Sequence, residues 1–260
     1  MKAAKKGFTL VELLVVLGIL GVLMSVLFPA VSTVQFKSAM TAVGVRGRTL
    51  YTAIFDANTE RQKLGLSNVW PRTNPDSGSS SGGEQKDIAE IPCSSSAQYF
   101  TELFDMQNMN DTKKWEPFVS KDAFKTLYGN GVEPPKGGVT TLDKDNVTWT
   151  VAANVQDELD DIIPVLLTRN MKASDLVKKY DGTKATKVSL GTANGANFDT
   201  PFSNKGFVLV TKGGVVISGE GGRYCTHQII YNKQAFEISD EGEDTAEFTY
   251  LAPDGQQAPQ

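Results

Sequence analysis

The sequence predicts an α+β protein: one long amino-terminal helix, apolar enough in its first half to cross a membrane, packed on a head with an antiparallel sheet. Three observations point there. Leu13 to Phe36 contains no charged residue. A helical apolar stripe continues beyond it, and the β-rich runs fall in the second half of the chain. The 260 residues suffice for one sizeable domain with an appendage.

The apolar run comes first. At about 1.5 Å per helical residue it is long enough for a hydrocarbon core of about 30 Å. Lys2, Lys5 and Lys6 precede it with no acid among them, so the positive-inside rule holds this end in the cytoplasm. A cleaved secretory signal fits poorly, because Phe28 stands two places before Ala30 where small residues are wanted. A plain anchor accounts for everything except Glu12, an acid at the start of an apolar segment. Glu12 could also snorkel to the headgroups.

The stretch KKGFTLVELL, Lys5 to Leu14, resembles the leader junction of the type IV pilin superfamily. The resemblance covers about thirty residues and implies a basic leader, Met1–Gly7, cut by a prepilin peptidase between Gly7 and Phe8, with Phe8 then N-methylated. Glu12 becomes the fifth residue of the mature chain, where the family usually has Glu. Thr9, Leu10 and Val11 fill the intervening places, and Pro29 sits where many members bend the helix. The resemblance implies that Glu12 meets the Phe8 amine of a neighbouring subunit, a pairing that can set register while apolar stripes supply area.

The helical pattern then continues through Phe36, Met40, Val43, Gly47, Leu50 and Ile54, in steps of four and three along one stripe. One helix from about Thr9 to about Asn58 is expected. Pro29 should kink or loosen it, and Gly44 with Gly47 marks a second soft point; the alternative is two helices broken near Pro29. The domains are therefore read as leader 1–7, long helix 8–60 with a transmembrane part at about 13–36, and head 61–260. That is the plan the pilin resemblance implies.

In the head, NPDSGSSSGGEQ (Asn74 to Gln85) reads as a flexible loop, and residues 97–128 as one or two short helices. VTWTVAA (Val147–Ala153) and IIPVLLT (Ile162–Thr168) read as strands, with Pro164 arguing for an edge or an irregular start. Phe207–Val210 and Val215–Ser218 flank Lys212-Gly213-Gly214 as a hairpin; HQIIYN and EFTYL add strand signals. The role of the large region 61–146 is open.

Charge and motifs narrow the function. Residues 1–60 carry six basic and three acidic side chains, net +3, which leaves −7 of the total −4 for residues 61–260. An acidic head gives no grip on phosphates, so nucleic acid is not an expected partner. No phosphate loop, nucleophile elbow or zinc-protease motif occurs, and no enzyme is expected. Cys93 and Cys225 either form one disulfide or remain separate thiols. His227 follows Cys225 by two, a pairing better read as structural than as nucleophile and base. Asp157, Glu158, Asp160 and Asp161 form one acidic cluster; Asp240, Glu241, Glu243 and Asp244 form another. The second is a candidate Ca2+ loop, as in some secretion pseudopilins, and no other cofactor is expected.

The resemblance thus implies a pseudopilin of a type II secretion system. Its partners would be other pilin-like subunits, the prepilin peptidase, an inner-membrane assembly platform and membrane lipid. It would be a single-pass protein of the bacterial inner membrane with its head periplasmic, later entering a filament in the periplasm or at the cell surface. A true pilus subunit for adhesion, motility or DNA uptake fits the same motif. A membrane-anchored extracytoplasmic binding protein or enzyme is the rival from another class.

Overall fold

The computed structural model describes residues 9–73, 92–157, 159–176, 188–222 and 249–257. The chain divides into two compact units, Met1–Thr41 and Ala42–Gln260. One helix, α1 (Leu10–Lys63), belongs to both. It is a single element through Pro29, so the two-helix alternative does not hold.

α1 ends later than the expected Asn58. Gly65 takes φ +69, the Leu66 N–H reaches back to the Arg61 carbonyl at 3.0 Å, and the Gly65 N–H reaches Gln62 at 3.1 Å. This crossed pair with a left-handed glycine is the usual way a chain leaves a helix while satisfying its last carbonyls. Arg61 and Lys63 in the last turn complement the negative end of the helix dipole.

The head is built on a six-stranded antiparallel sheet. Its strands are β1 (Trp149–Ala153), β2 (Pro164–Thr168), β3 (Gly206–Thr211), β4 (Val216–Glu220), β5 (Thr249–Ala252) and β6 (Gly255–Gln257), in the order β4-β3-β2-β1-β5-β6. The segments VTWTVAA and IIPVLLT are β1 and β2, and EFTYL contributes β5. HQIIYN lies outside the described residues, as does Asn74 to Gln85.

Every residue of β1, β2 and β3 is buried. Val208 and Val210 face α1, while Phe207 and Leu209, on the other face of β3, are equally buried. A sheet covered on both sides has no need of polar alternation, which is why these strands read as near-continuous apolar runs. β4 is one edge, β6 being the other, and is partly exposed. β2 lies in the middle, so Pro164 does not mark an edge. It does mark an irregular start: the register with β3 shifts between Pro164 and Leu166, where a residue without an N–H costs no ladder bond. The β3–β4 hairpin turns at Lys212-Gly213-Gly214, with Gly214 at φ +76 and its N–H bonded to the Thr211 carbonyl at 2.9 Å.

Between helix and sheet lie α2 (Ser96–Leu103), which carries Tyr99 and Phe100, and short 3-10 turns at Met106–Asn108 and Lys121–Thr126, the second carrying Phe124. The Ser95 hydroxyl caps α2 by accepting from the Gln98 N–H at 3.1 Å. Tyr99, Phe100 and Leu103 are fully buried on its inner side, and the Ser96 hydroxyl donates to the Trp149 carbonyl at 2.7 Å, tying α2 to β1.

The second half of α1 lies on the sheet through the expected stripe: Val43, Gly47, Leu50 and Ile54 are buried. Gly44 and Gly47 are not a soft point but the place of closest approach. A Cβ on Gly47 would sit 2.6 Å from the Trp149 ring and 3.0 Å from a Val210 methyl. Trp149 cannot retreat: it is fully buried and its Nε1–H donates to the Thr126 carbonyl at 2.9 Å. A Cβ on Gly44 would press on the Val216 methyl at 3.2 Å, on the edge strand, and lie in ordinary contact with a Val208 methyl at 4.0 Å.

The two glycines therefore give opposite expectations. Gly47→Ala overpacks a rigid contact, at a cost of about 1–3 kcal/mol that exceeds the helix-propensity gain of about 1 kcal/mol. Its melting temperature should fall by several degrees. Gly44→Ala should melt at or slightly above the parent temperature, since Val216 can turn aside. Circular dichroism melts of the two detergent-solubilised variants check both.

Candidate functional site

α1 begins with a capping box. The Thr9 N–H and the Thr9 hydroxyl both donate to Glu12 Oε2 at 2.8 Å, and Thr9 Oγ1 accepts from the Glu12 N–H at 3.3 Å. Thr9 is the N-cap and Glu12 the third helical residue, each side chain closing the other's backbone donor. The T-x-x-E pattern of Thr9-Leu10-Val11-Glu12 carries this signal in the sequence, independently of the pilin resemblance. Both hydrogen bonds from Thr9 to the carboxylate use Oε2. Oε1 accepts no hydrogen bond among the described residues.

Beyond the cap, α1 is apolar around its whole circumference. Large side chains from Leu10 to Val34 are exposed at consecutive positions, among them Val11, Leu14, Leu17, Val22 and Val26. α1 is long and apolar enough to cross a membrane by length and composition, and none of its most apolar stretch is buried. A helix of this kind is out of place in water and calls for lipid or other helices around it. Pro29 lies within it and has no N–H to give the Ser25 carbonyl four residues back.

Gly7 and Phe8, the expected cleavage and methylation residues, lie outside the described residues, and so do Cys225, His227, Asp240, Glu241, Glu243 and Asp244. Neither the disulfide nor the Ca2+ loop is therefore placed. Among the described residues no three His, Cys, Asp or Glu side chains gather as metal ligands would. Cys93 is 2% exposed; burial, with a smaller push from Glu102, raises its thiol to about 12. A thiol so placed stays protonated and inert near neutral pH. Of the first acidic cluster, Asp161 pairs with Lys212 Nζ at 3.7 Å, and the Asp157 backbone carbonyl accepts from the same ammonium at 2.7 Å.

Comparison with known proteins places the amino-terminal segment. Residues 2–28 match the prokaryotic N-terminal methylation motif. The stretch is a prepilin-type segment like that of type IV pilins, and the helix and antiparallel head that follow make a pilin-like arrangement. The motif supports a type IV pilin-like subunit processed by prepilin peptidase and assembling with other pilin subunits. With the apolar helix it is consistent with a single-pass inner-membrane anchor. Neither the curated proteins nor the solved structures compared with the chain match it.

Two outcomes follow from this geometry. Thr9→Ala removes the cap, so amide hydrogens in the first turn of α1 should exchange roughly fivefold faster in micelles while the head is unaffected; Thr9→Ser should restore protection. In a Cys225→Ser protein, Cys93 should resist iodoacetamide at pH 8 until denaturant exposes it, as read by intact mass.

Proposed function

We propose that the chain is a structural filament subunit, a pseudopilin of a type II secretion system, cut between Gly7 and Phe8 and assembled through α1. The observation that carries the reading is the methylation motif at residues 2–28 followed by a helix apolar on every side. The motif supplies the processing step. The helix supplies a surface that lipid covers first and neighbouring helices can cover later.

The chemistry runs through few atoms. Hydrolysis of the Gly7–Phe8 peptide bond frees an amine on Phe8, and methylation leaves it basic. The Thr9 amide is not touched, so the capping box survives cleavage. Glu12 then has one oxygen held by its own helix and the other available to the Phe8 amine of a neighbour. A charge-assisted contact of this kind is short, directional and favoured where water is scarce. It sets the axial offset between subunits, and apolar packing supplies the area. Lys2, Lys5 and Lys6 keep the leader cytoplasmic, which puts the head on the periplasmic side.

In a host with an active prepilin peptidase, the intact mass of the purified protein should correspond to residues 8–260 plus one methyl group. Met1 still attached would sink the filament reading and favour a membrane-anchored binding protein or enzyme. Glu12→Val should insert into the membrane normally and be missing from sheared or cross-linked filaments. Loss of secretion on deletion, with surface pili intact, separates the type II assignment from a pilus subunit.

A further inference from the structure

A cleft of about 270 Å³ lies in the head between the last turns of α1, the segment after β1, and the β3–β4 turn. Its α1 wall carries two rings one helical turn apart. Tyr51 and Phe55 have centroids 6.1 Å apart and planes within 25° of each other. Phe55 is 55% exposed, a large aromatic left at the surface beside a cavity. The Tyr51 hydroxyl donates to the Lys212 carbonyl, which fixes this ring against the turn. Gly214 tightens the same contact, since a Cβ there would lie 2.9 Å from the Tyr51 ring.

The opposite wall is acidic. Asp157 and Asp161 both line the cleft. The one cation among the lining residues, Lys212, has its hydrogens committed: Nζ donates to the Asp157 and Leu159 carbonyls at 2.7 Å each and lies 3.7 Å from Asp161. The Asp157 carboxylate accepts no hydrogen bond among the described residues, and Asp161 is 79% exposed. The field of Asp161 also reaches the aromatic wall: the Tyr51 phenol is raised, chiefly by burial and then by that carboxylate. Gln62 adds a side-chain amide to the lining, with no hydrogen bond from it among the described residues.

We propose that this cleft is a docking pocket for the side chain of an arginine presented by a basic segment of a partner protein. A planar guanidinium can stack on Phe55 and Tyr51 while its N–H fork reaches Asp157 and Asp161. The volume is below the usual range for small-molecule sites and suits one extended side chain rather than a helix or strand. Residues 61–260 carry a net −7, so the head attracts a basic partner and disfavours another head of its own kind. The pocket is independent of the assembly segment, and its occupancy does not require that α1 form filaments.

The test uses the full chain in detergent micelles, titrated with N-acetyl-arginine amide and followed by saturation-transfer NMR. The neutral isostere N-acetyl-citrulline amide and the disaccharide maltose serve as the comparison probes. Saturable arginine binding is expected, at least fivefold tighter than citrulline and weakening as salt rises from about 50 to about 500 mM. Asp157→Asn with Asp161→Asn should abolish it, and Phe55→Leu should weaken it severalfold, with melting temperatures unchanged because all three side chains are at the surface. Arginine binding that survives the double substitution overturns the proposal. So does citrulline binding equally well, maltose binding in place of arginine, or no saturation by any probe. None of these outcomes depends on Glu12, so the filament reading stands or falls separately.

Discussion

A single helix has to satisfy two surroundings, and the rest of the molecule follows from that demand. Along Leu10 to Val34 large apolar side chains are exposed on every side of α1. From Val43 onward only one stripe is buried, and Val45, Arg48, Thr49 and Thr52 remain outside. The first pattern has its lowest free energy where no face meets water. The second has it against one apolar layer, with polar groups turned to solvent. The sequence switches from one pattern to the other without a helix break, so the same backbone element serves both units.

The switch requires that the sheet come close enough to hold the helix by one stripe. Gly47 sets that distance, since nothing larger than hydrogen fits beneath Trp149. The approach then brings side chains from α1 into reach of loops far away in sequence. Arg46 donates from Nη1 to the Tyr128 carbonyl at 2.9 Å, and any Cβ on Gly129 would collide with its guanidinium. The Val69 N–H donates to Asn58 Oδ1 at 2.7 Å as the chain turns back over the helix end. Each bond satisfies a backbone group that close packing would otherwise strand. The enlarged segment between helix and sheet is therefore not an appendage: Tyr99, Phe100, Leu103, Phe104 and Leu127 are fully buried in the core.

What was legible in the sequence was what depends on local pattern. The apolar run, the stripe through Ile54, the β3–β4 hairpin and the strands β1 and β2 are each written in neighbouring residues. The apolar stripe runs out after Ile54, which puts the expected helix end near Asn58; in the structure the helix continues to Lys63, Gly65 makes the turn, and the Asn58 side chain accepts from the Val69 N–H. Gly44 and Gly47 were read by propensity, which knows nothing of the Trp149 ring more than a hundred residues on. Pro164 was half legible: the missing N–H announces an irregular start, but strand order comes from non-local pairing. The cleft beside Tyr51 and Phe55 is illegible in the sequence, since its walls come from segments far apart in the chain and Lys212 reads there only as part of a turn.

Glu12 shows how one residue can be legible for one reason and overlooked for another. The pilin resemblance implies a use between subunits, and the local hydrogen bonds show its use within the chain. The two are linked by the same physics. An isolated carboxylate is costly in apolar surroundings, and in the proposed assembly the partner amine exists only after cleavage. Until then the acid is not alone: it sits at the positive end of the helix dipole and accepts two hydrogen bonds from Thr9. An acid placed one turn later would have neither support, because the helical N–H groups there are already taken. The first turn of α1 is thus the one place in the segment where a carboxylate is supported by its own helix, and under the proposed assembly it is there that the pairing between subunits would be built.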